Sequence, residues 1–196
     1  MRPRIALLLT LVALPAAAFA QGAPKPAKPA KPAETKPAGM MAPKPGAVAA
    51  VRPVYEMVKG WLVKSANQMP DSNYGFKPTP AVRSFGGIIG HVANANYMLC
   101  STARGITNPM KATDYEKTMD KASLVKALEE SFAYCDKAYE ITDAASNGQV
   151  ELFGMKGSKL WLLSFNAAHE DEHYGNLVTY FRLKGMTPPS SQGSGM

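Results

Sequence analysis

The chain has 196 residues, room for one ordinary domain once processed and disordered N-terminal parts are set aside. Its formal charge of +7 is unevenly placed: Arg2 and Arg4 carry +2, five lysines against Glu34 give residues 21–46 a charge of +4, and only +1 belongs to residues 47–196. A folded part so nearly neutral lacks the basic stripe that nucleic-acid binding requires, so no nucleic-acid partner is expected.

Residues 1–20 have the form of a secretory signal peptide, with positive charge at Arg2 and Arg4, an apolar run from Ile5 to Ala17, and Ala18-Phe19-Ala20 as the cleavage pattern before Gln21. The run is shorter than the ~20 residues of a membrane span, and no later segment is apolar enough to be one. No cysteine follows the cleavage pattern, which argues against a lipid anchor. The expected location is therefore outside the cytoplasm, periplasmic or extracellular. Residues 21–46 hold seven prolines and no large apolar residue beyond Met40 and Met41, so they cannot bury a core and are predicted to be a disordered, extended Pro/Lys/Ala-rich spacer.

Four amphipathic helices are predicted after the spacer. Val54, Val58, Trp61, Leu62 and Ser65 recur at helical spacing over residues 51–68, with Pro53 tolerated in the first turn. The prolines and turn formers of 69–80 make a loop. Ser84 is placed to cap a second helix that Gly105 ends, and Gly86, Gly87 and Gly90 within it point to a close helix approach near His91. Residues 105–120 read as a long connection. Leu124, Leu128, Cys135 and Tyr139, widened by Val125 and Phe132, predict a third helix over about 121–142. Asn147-Gly148 marks a turn, 149–155 reads as a short apolar link, and a long helix over 158–184 ends at Gly185 and Pro188-Pro189. The expected fold class is all-α, a four-helix bundle over 47–190 with a flexible tail at 191–196. Cys100 and Cys135 fit either a disulfide, which an exported chain permits, or two small core hydrophobes.

The chemistry is concentrated in the three histidines. His169 and His173 stand four residues apart, so a helix of ~3.6 residues per turn stacks them on one face, shared with Leu162, Phe165, Asn166, Leu177 and Tyr180. His91 shares its face with Ile88, Ala95 and Met98. Two buried imidazoles one turn apart repel if protonated and need partners if neutral, and a bound cation answers both needs. The predicted site is one divalent metal ion, zinc, nickel or iron, held by His91, His169 and His173, with an open position that activates a water or a thiol, against the alternative of three hydrogen-bonded core histidines. Cys100, nine residues after His91, falls out of phase with it and is not a ligand. His169-Glu170-Asp171-Glu172-His173 also matches the short zinc-protease pattern, but no downstream residue supplies the third ligand, and Asn176 and Thr179 stand where the extended pattern wants Gly and His. Glu170 remains a candidate base against the alternative of a solvated helix charge. Asn94, Tyr97 and Tyr174 are candidate pocket residues against the alternatives of a solvated amide and aromatic packing.

Three segments together resemble the DinB-like (DinB/YfiT) metal-binding four-helix bundles: Thr79 through Asn96 around His91, His169 through Leu177, and Tyr180 through Ser190. The resemblance spans about residues 50–190. It implies a three-histidine metal site on His91, His169 and His173, and a metal-dependent transferase or isomerase that uses a low-molecular-weight thiol. The signal peptide departs from that cytosolic pattern. The expected function is thus an exported metal-dependent enzyme of thiol-transferase or hydrolase type acting on an unidentified small-molecule substrate, with Glu170 or Tyr97 as proton carriers. The alternative is a non-catalytic metal- or ligand-binding module of the cell envelope. A homodimer stays open.

Overall fold

The computed structural model describes residues 46–193 except Met119, so the segments expected to be a signal peptide (1–20) and a spacer (up to residue 45), and the last three residues, lie outside the described residues. Four long helices form the body: α1 (Ala47–Gln68), α2 (Phe85–Arg104), α3 (Lys121–Asp136) and α5 (Lys159–Leu183). A short α4 (Asp143–Ser146) and a hairpin of β1 (Gln149–Leu152) and β2 (Met155–Ser158) lie between α3 and α5. Both α1 and α2 pack on α3 and on α5, so the four long helices close a ring around one core. No described helix is long and apolar enough to cross a membrane.

The second and last helices follow their local signals. Ser84 accepts from the Gly87 N–H at 3.0 Å, and Gly105 ends α2 with φ 70°. Ser158 accepts from the Trp161 N–H at 3.1 Å, and Gly185 follows α5 with φ 67°. The first and third helices depart from expectation because distant residues set their ends. α1 begins at Ala47, four residues early, and Pro53 lies in its interior. Its first turn is held by a residue 95 positions away, since the Val48 N–H donates to Asp143 Oδ1 at 2.9 Å. Val54 is exposed and Tyr55 takes the core position, stacked on Tyr139 with ring centres 3.8 Å apart.

α3 stops at Asp136 rather than near Thr142. The Asp136 carboxylate accepts from Lys59 Nζ and Tyr55 Oη at 2.7 Å each, and the chain then tightens into i→i+3 turns. Those turns bring Tyr139 inward, where its hydroxyl donates to the Leu163 carbonyl at 2.8 Å. The expected link at 149–155 is instead one strand and the turn of an antiparallel hairpin pairing Gln149 with Ser158 and Leu152 with Met155. Its two-residue turn is Phe153-Gly154, with φ 52° and 79°. A turn of this hand normally begins with Asn, Asp or Gly, so Phe153 hid it.

Cys100 on α2 and Cys135 on α3 are both fully buried and joined by a disulfide, with Cα atoms 5.2 Å apart. This settles the two readings of the pair and removes both sulfurs as metal ligands. At the C-terminal end, a 3-10 turn at Pro189–Ser191 is pinned by the Ser190 N–H donating to Tyr174 Oη at 2.8 Å. Gln192 donates to Gln68 Oε1 at 2.7 Å and to the Thr187 carbonyl at 2.9 Å.

Candidate metal centre

α2 and α5 pack directly on each other, and the contact puts His91 against the His169/His173 pair. His169 Nε2 lies 3.2 Å from His91 Nε2 and 3.1 Å from His173 Nε2, and one ligand atom from each of the three rings lies within 4.8 Å of the others. Four-coordinate zinc with bonds of ~2.0–2.1 Å holds neighbouring ring nitrogens about 3.3 Å apart, so the spacing suits one ion. Protons alone do not satisfy it. His91 Nδ1 is 2.6 Å from Glu116 Oε1 and donates to it, which leaves a lone pair on His91 Nε2. His169 Nε2 has a single in-plane site, a proton or a lone pair, so it completes a hydrogen bond with only one of its two neighbours and the other contact goes unmet. A single cation among the three removes that conflict. The Nδ1 atoms of His169 and His173 are buried and reach no protein partner.

Burial, reinforced by the other imidazoles, holds His173 down at a pKa of about 3, and burial likewise lowers His169. Both rings are therefore neutral and ready to coordinate at ordinary pH.

Glu116 is the member of the site that sequence reasoning missed. It lies on a 3-10 turn at Tyr115–Lys117, inside the stretch read only as a connection. Its other oxygen accepts from Arg83 Nε at 2.9 Å, and burial, which opposes ionisation, is outweighed by the Arg83 and His91 hydrogen bonds, so its pKa is lowered. A carboxylate that fixes the tautomer and orientation of a ligating histidine is the usual outer partner of such a metal site. Asn94, weighed as a solvated amide, fastens the turn: its Oδ1 accepts from the Tyr115 N–H and its Nδ2 donates to Asp114, both at 3.1 Å.

Gly90 explains how the turn comes so close. A Cβ there would sit 2.9 Å from the Glu116 backbone nitrogen and nearer still to the Tyr115 carbonyl. The glycines of α2 do mark a close approach near His91, but at Gly90 the neighbour is this turn rather than a helix. Gly90→Ala is expected to cost about 1–3 kcal/mol by overpacking and to weaken metal binding roughly tenfold by pushing Glu116 off His91. Thermal melts and metal titration of the same variant measure the two effects, and unchanged metal affinity would show that Glu116 does not support the site.

Glu170 is fully buried rather than solvated. Its Oε1 accepts from Asn166 Nδ2 at 2.9 Å, Oε2 has no protein partner, and no hydrogen bond joins it to the three histidines. Asn166 also donates to Asn96, so Glu170 belongs to a polar layer inside the bundle. Burial raises its pKa well above the carboxylic range despite the Asn166 hydrogen bond and the Lys59 charge. With a folded pKa above the unfolded one, its stabilising contribution is complete below about pH 4.5 and is lost as pH rises through the folded value. Glu170→Gln, which cannot ionise, is expected to melt above the parent at pH 7.5, with the gap closing toward pH 4.5. A gap that does not change with pH contradicts the burial of a protonated carboxyl.

Tyr97 is buried, packed against Tyr134 and Tyr115 with ring centres 5.1 and 6.4 Å away, and burial raises its pKa. It lines a separate cavity of 440 Å³ that contains none of the histidines. Tyr174 stacks on Trp61 at 5.0 Å. Two clefts do reach the histidines. A polar one of 770 Å³ includes Arg83, Glu116, His173 and Asn176, and an apolar one of 370 Å³ includes His91, Met98, Phe165 and His169.

Two solved structures share this architecture. A DinB-like protein from Bacillus cereus ATCC 10987 superposes with a TM-score of 0.63 at 17% identity, covering 71% of this chain and 93% of its own. A DinB-like protein from Bacillus subtilis gives 0.56 at 22% identity, covering 70% and 93%. At such identities the likeness concerns the fold. No curated protein matches the chain. The stretch from Tyr55 to Leu177, which carries all three histidines, Glu116 and the disulfide, matches the model of one family over residues 55–177, and by that match the chain belongs to the DinB superfamily.

Proposed function

We propose that this protein is an exported, metal-dependent enzyme that acts on a small molecule at the centre formed by His91, His169 and His173. The convergence of three ring nitrogens from two helices, with His91 backed by Glu116, is the observation that carries the reading. Three neutral imidazoles leave a fourth position free on a four-coordinate ion, and a bound divalent ion there lowers the pKa of a water or thiol toward neutrality. The chain's own residues supply the surroundings. Glu116 holds the proton of His91 on Nδ1, Arg83 anchors Glu116, and the two clefts reach the histidines, one at His173 and the other at His91 and His169.

Glu116, which lines both clefts, is better placed than Glu170 or Tyr97 to exchange a proton with a bound molecule. A thiol transfer and a hydrolysis both suit the site. Export is supported by the Cys100–Cys135 disulfide, a cross-link that persists in oxidising compartments and is rare in the cytosol. The full chain, purified and supplied with zinc, nickel or iron, is expected to bind about one ion per chain and to turn over electrophilic or ester substrates. Substoichiometric metal refutes the centre. One ion bound without turnover on any thiol-acceptor or ester substrate favours the non-catalytic metal-binding module.

A further inference from the structure

The 370 Å³ cleft beside His91 and His169 has an unusually apolar wall for a site next to three imidazoles. Ala95, Met98 and Leu99 come from α2, Phe165 from α5, and Phe153 from the hairpin tip. The cleft's two other polar residues are already engaged: Asn94 is tied to Asp114 and Tyr115, and each Glu116 oxygen holds a donor, His91 or Arg83, so that Glu116, at the metal end, is the one further acceptor in the wall. A polar ligand group entering here would lose water and gain little in return. The volume is more than twice the ~150 Å³ that holds a benzene ring.

Phe153 makes the arrangement pointed. It is 71% exposed and has φ 52°, a left-handed conformation that an aromatic residue adopts against its own sterics. Asparagine or glycine would suit the turn better, and a polar residue would suit the solvent. The phenyl ring is thus disfavoured by both its backbone and its exposure, and it stands at the rim of the apolar cleft.

We infer that the cleft binds the aryl or branched-alkyl group of a small organic anion whose donor atom completes the metal's coordination, and that Phe153 closes over that group. The inference rests on the open metal centre proposed above. It narrows the substrate class to hydrophobic small acids or thiols, with the anionic end at the histidines and the apolar end under the hairpin. The polar cleft on the His173 side, with Arg83 and Lys77 among its lining residues, is left for any further polar group of the same molecule.

The test uses the metal-loaded full chain with acetohydroxamate and benzohydroxamate, two chelating anions that differ in a methyl against a phenyl group. Isothermal titration is expected to give at least about tenfold tighter binding of benzohydroxamate, the effect of burying one ring face. In Phe153→Asn the preference should shrink at least threefold, with acetohydroxamate affinity and metal content unchanged. The metal-free variant should melt about 2–4 °C higher than the parent, as relief of the turn predicts. Equal affinities in the parent, an undiminished preference in the variant, or a lower melting temperature overturns the pocket while leaving the metal centre standing. Absence of metal, or of any acetohydroxamate binding to the loaded protein, overturns the open centre and the pocket with it.

Discussion

Single replacement of His91, His169 or His173 by alanine is expected to weaken divalent-metal binding by at least about 100-fold, a larger loss than the ~10–100-fold typical of removing an outer partner such as Glu116. The reason is geometric. His169 lies at the centre, 3.1–3.2 Å from both of its neighbours' Nε2 atoms, and removing any one ring leaves a two-nitrogen chelate open to water. The metal-free protein should respond in the opposite sense to His173→Ala, because a buried neutral imidazole is a liability in acid. Its folded pKa of about 3 lies below the ordinary value of about 6.5. Between those values the unfolded chain takes up a proton that the folded chain refuses, so stability falls as pH drops through that window. The alanine variant should lose less stability than the parent between pH 7 and pH 4.5 while failing to retain metal at either. Equilibrium dialysis with metal analysis, together with melts at the two pH values, reads both quantities. Metal content unchanged in the three single variants would sink the site.

The Cys100→Ser, Cys135→Ser double variant is expected to lose about 3–4 kcal/mol, since the cross-link closes a loop with a sequence separation of 35. For a domain of this size that corresponds to a fall of roughly 10 °C in melting temperature. The bond ties α2 to α3, and its two sulfurs lie 3.4 and 3.7 Å from Asn166 Oδ1 in the polar layer that also holds Glu170. Two serine hydroxyls in that layer have acceptors within reach, so the variant should fold. Metal stoichiometry should stay at one ion per chain, because neither sulfur belongs to the histidine cluster. A melting temperature equal to that of the parent means that the bridge does not form in the purified protein, and loss of metal means that the assignment of ligands is incomplete.

The parts of this protein legible in its sequence are those governed by local rules. The i, i+4 spacing of His169 and His173 follows from helical pitch alone, and the apolar neighbours Leu162 and Leu177 show which way that face turns. Ser84 and Gly105 bound α2 through contacts within a few residues of themselves. Such signals need no knowledge of the rest of the chain.

What escaped the sequence depends on residues brought together across long separations. Glu116 joins His91 only because Gly90 admits the backbone of Tyr115 to the surface of α2, and no periodicity marks a single turn inside a connection. Glu170 reads as one more charge in a run of four acidic and histidine neighbours. Its full burial is decided by how α5 sits against the other helices, which places it one residue around from the metal face and inside the polar layer. α3 ends where Asp136 meets Lys59 and Tyr55, and α1 begins where Asp143 reaches Val48. Phe153 shows the same division most sharply: its side chain argues against the left-handed turn it occupies, and only the packing of the hairpin beside α2 and α5 puts that ring at the rim of an apolar cleft next to the histidines.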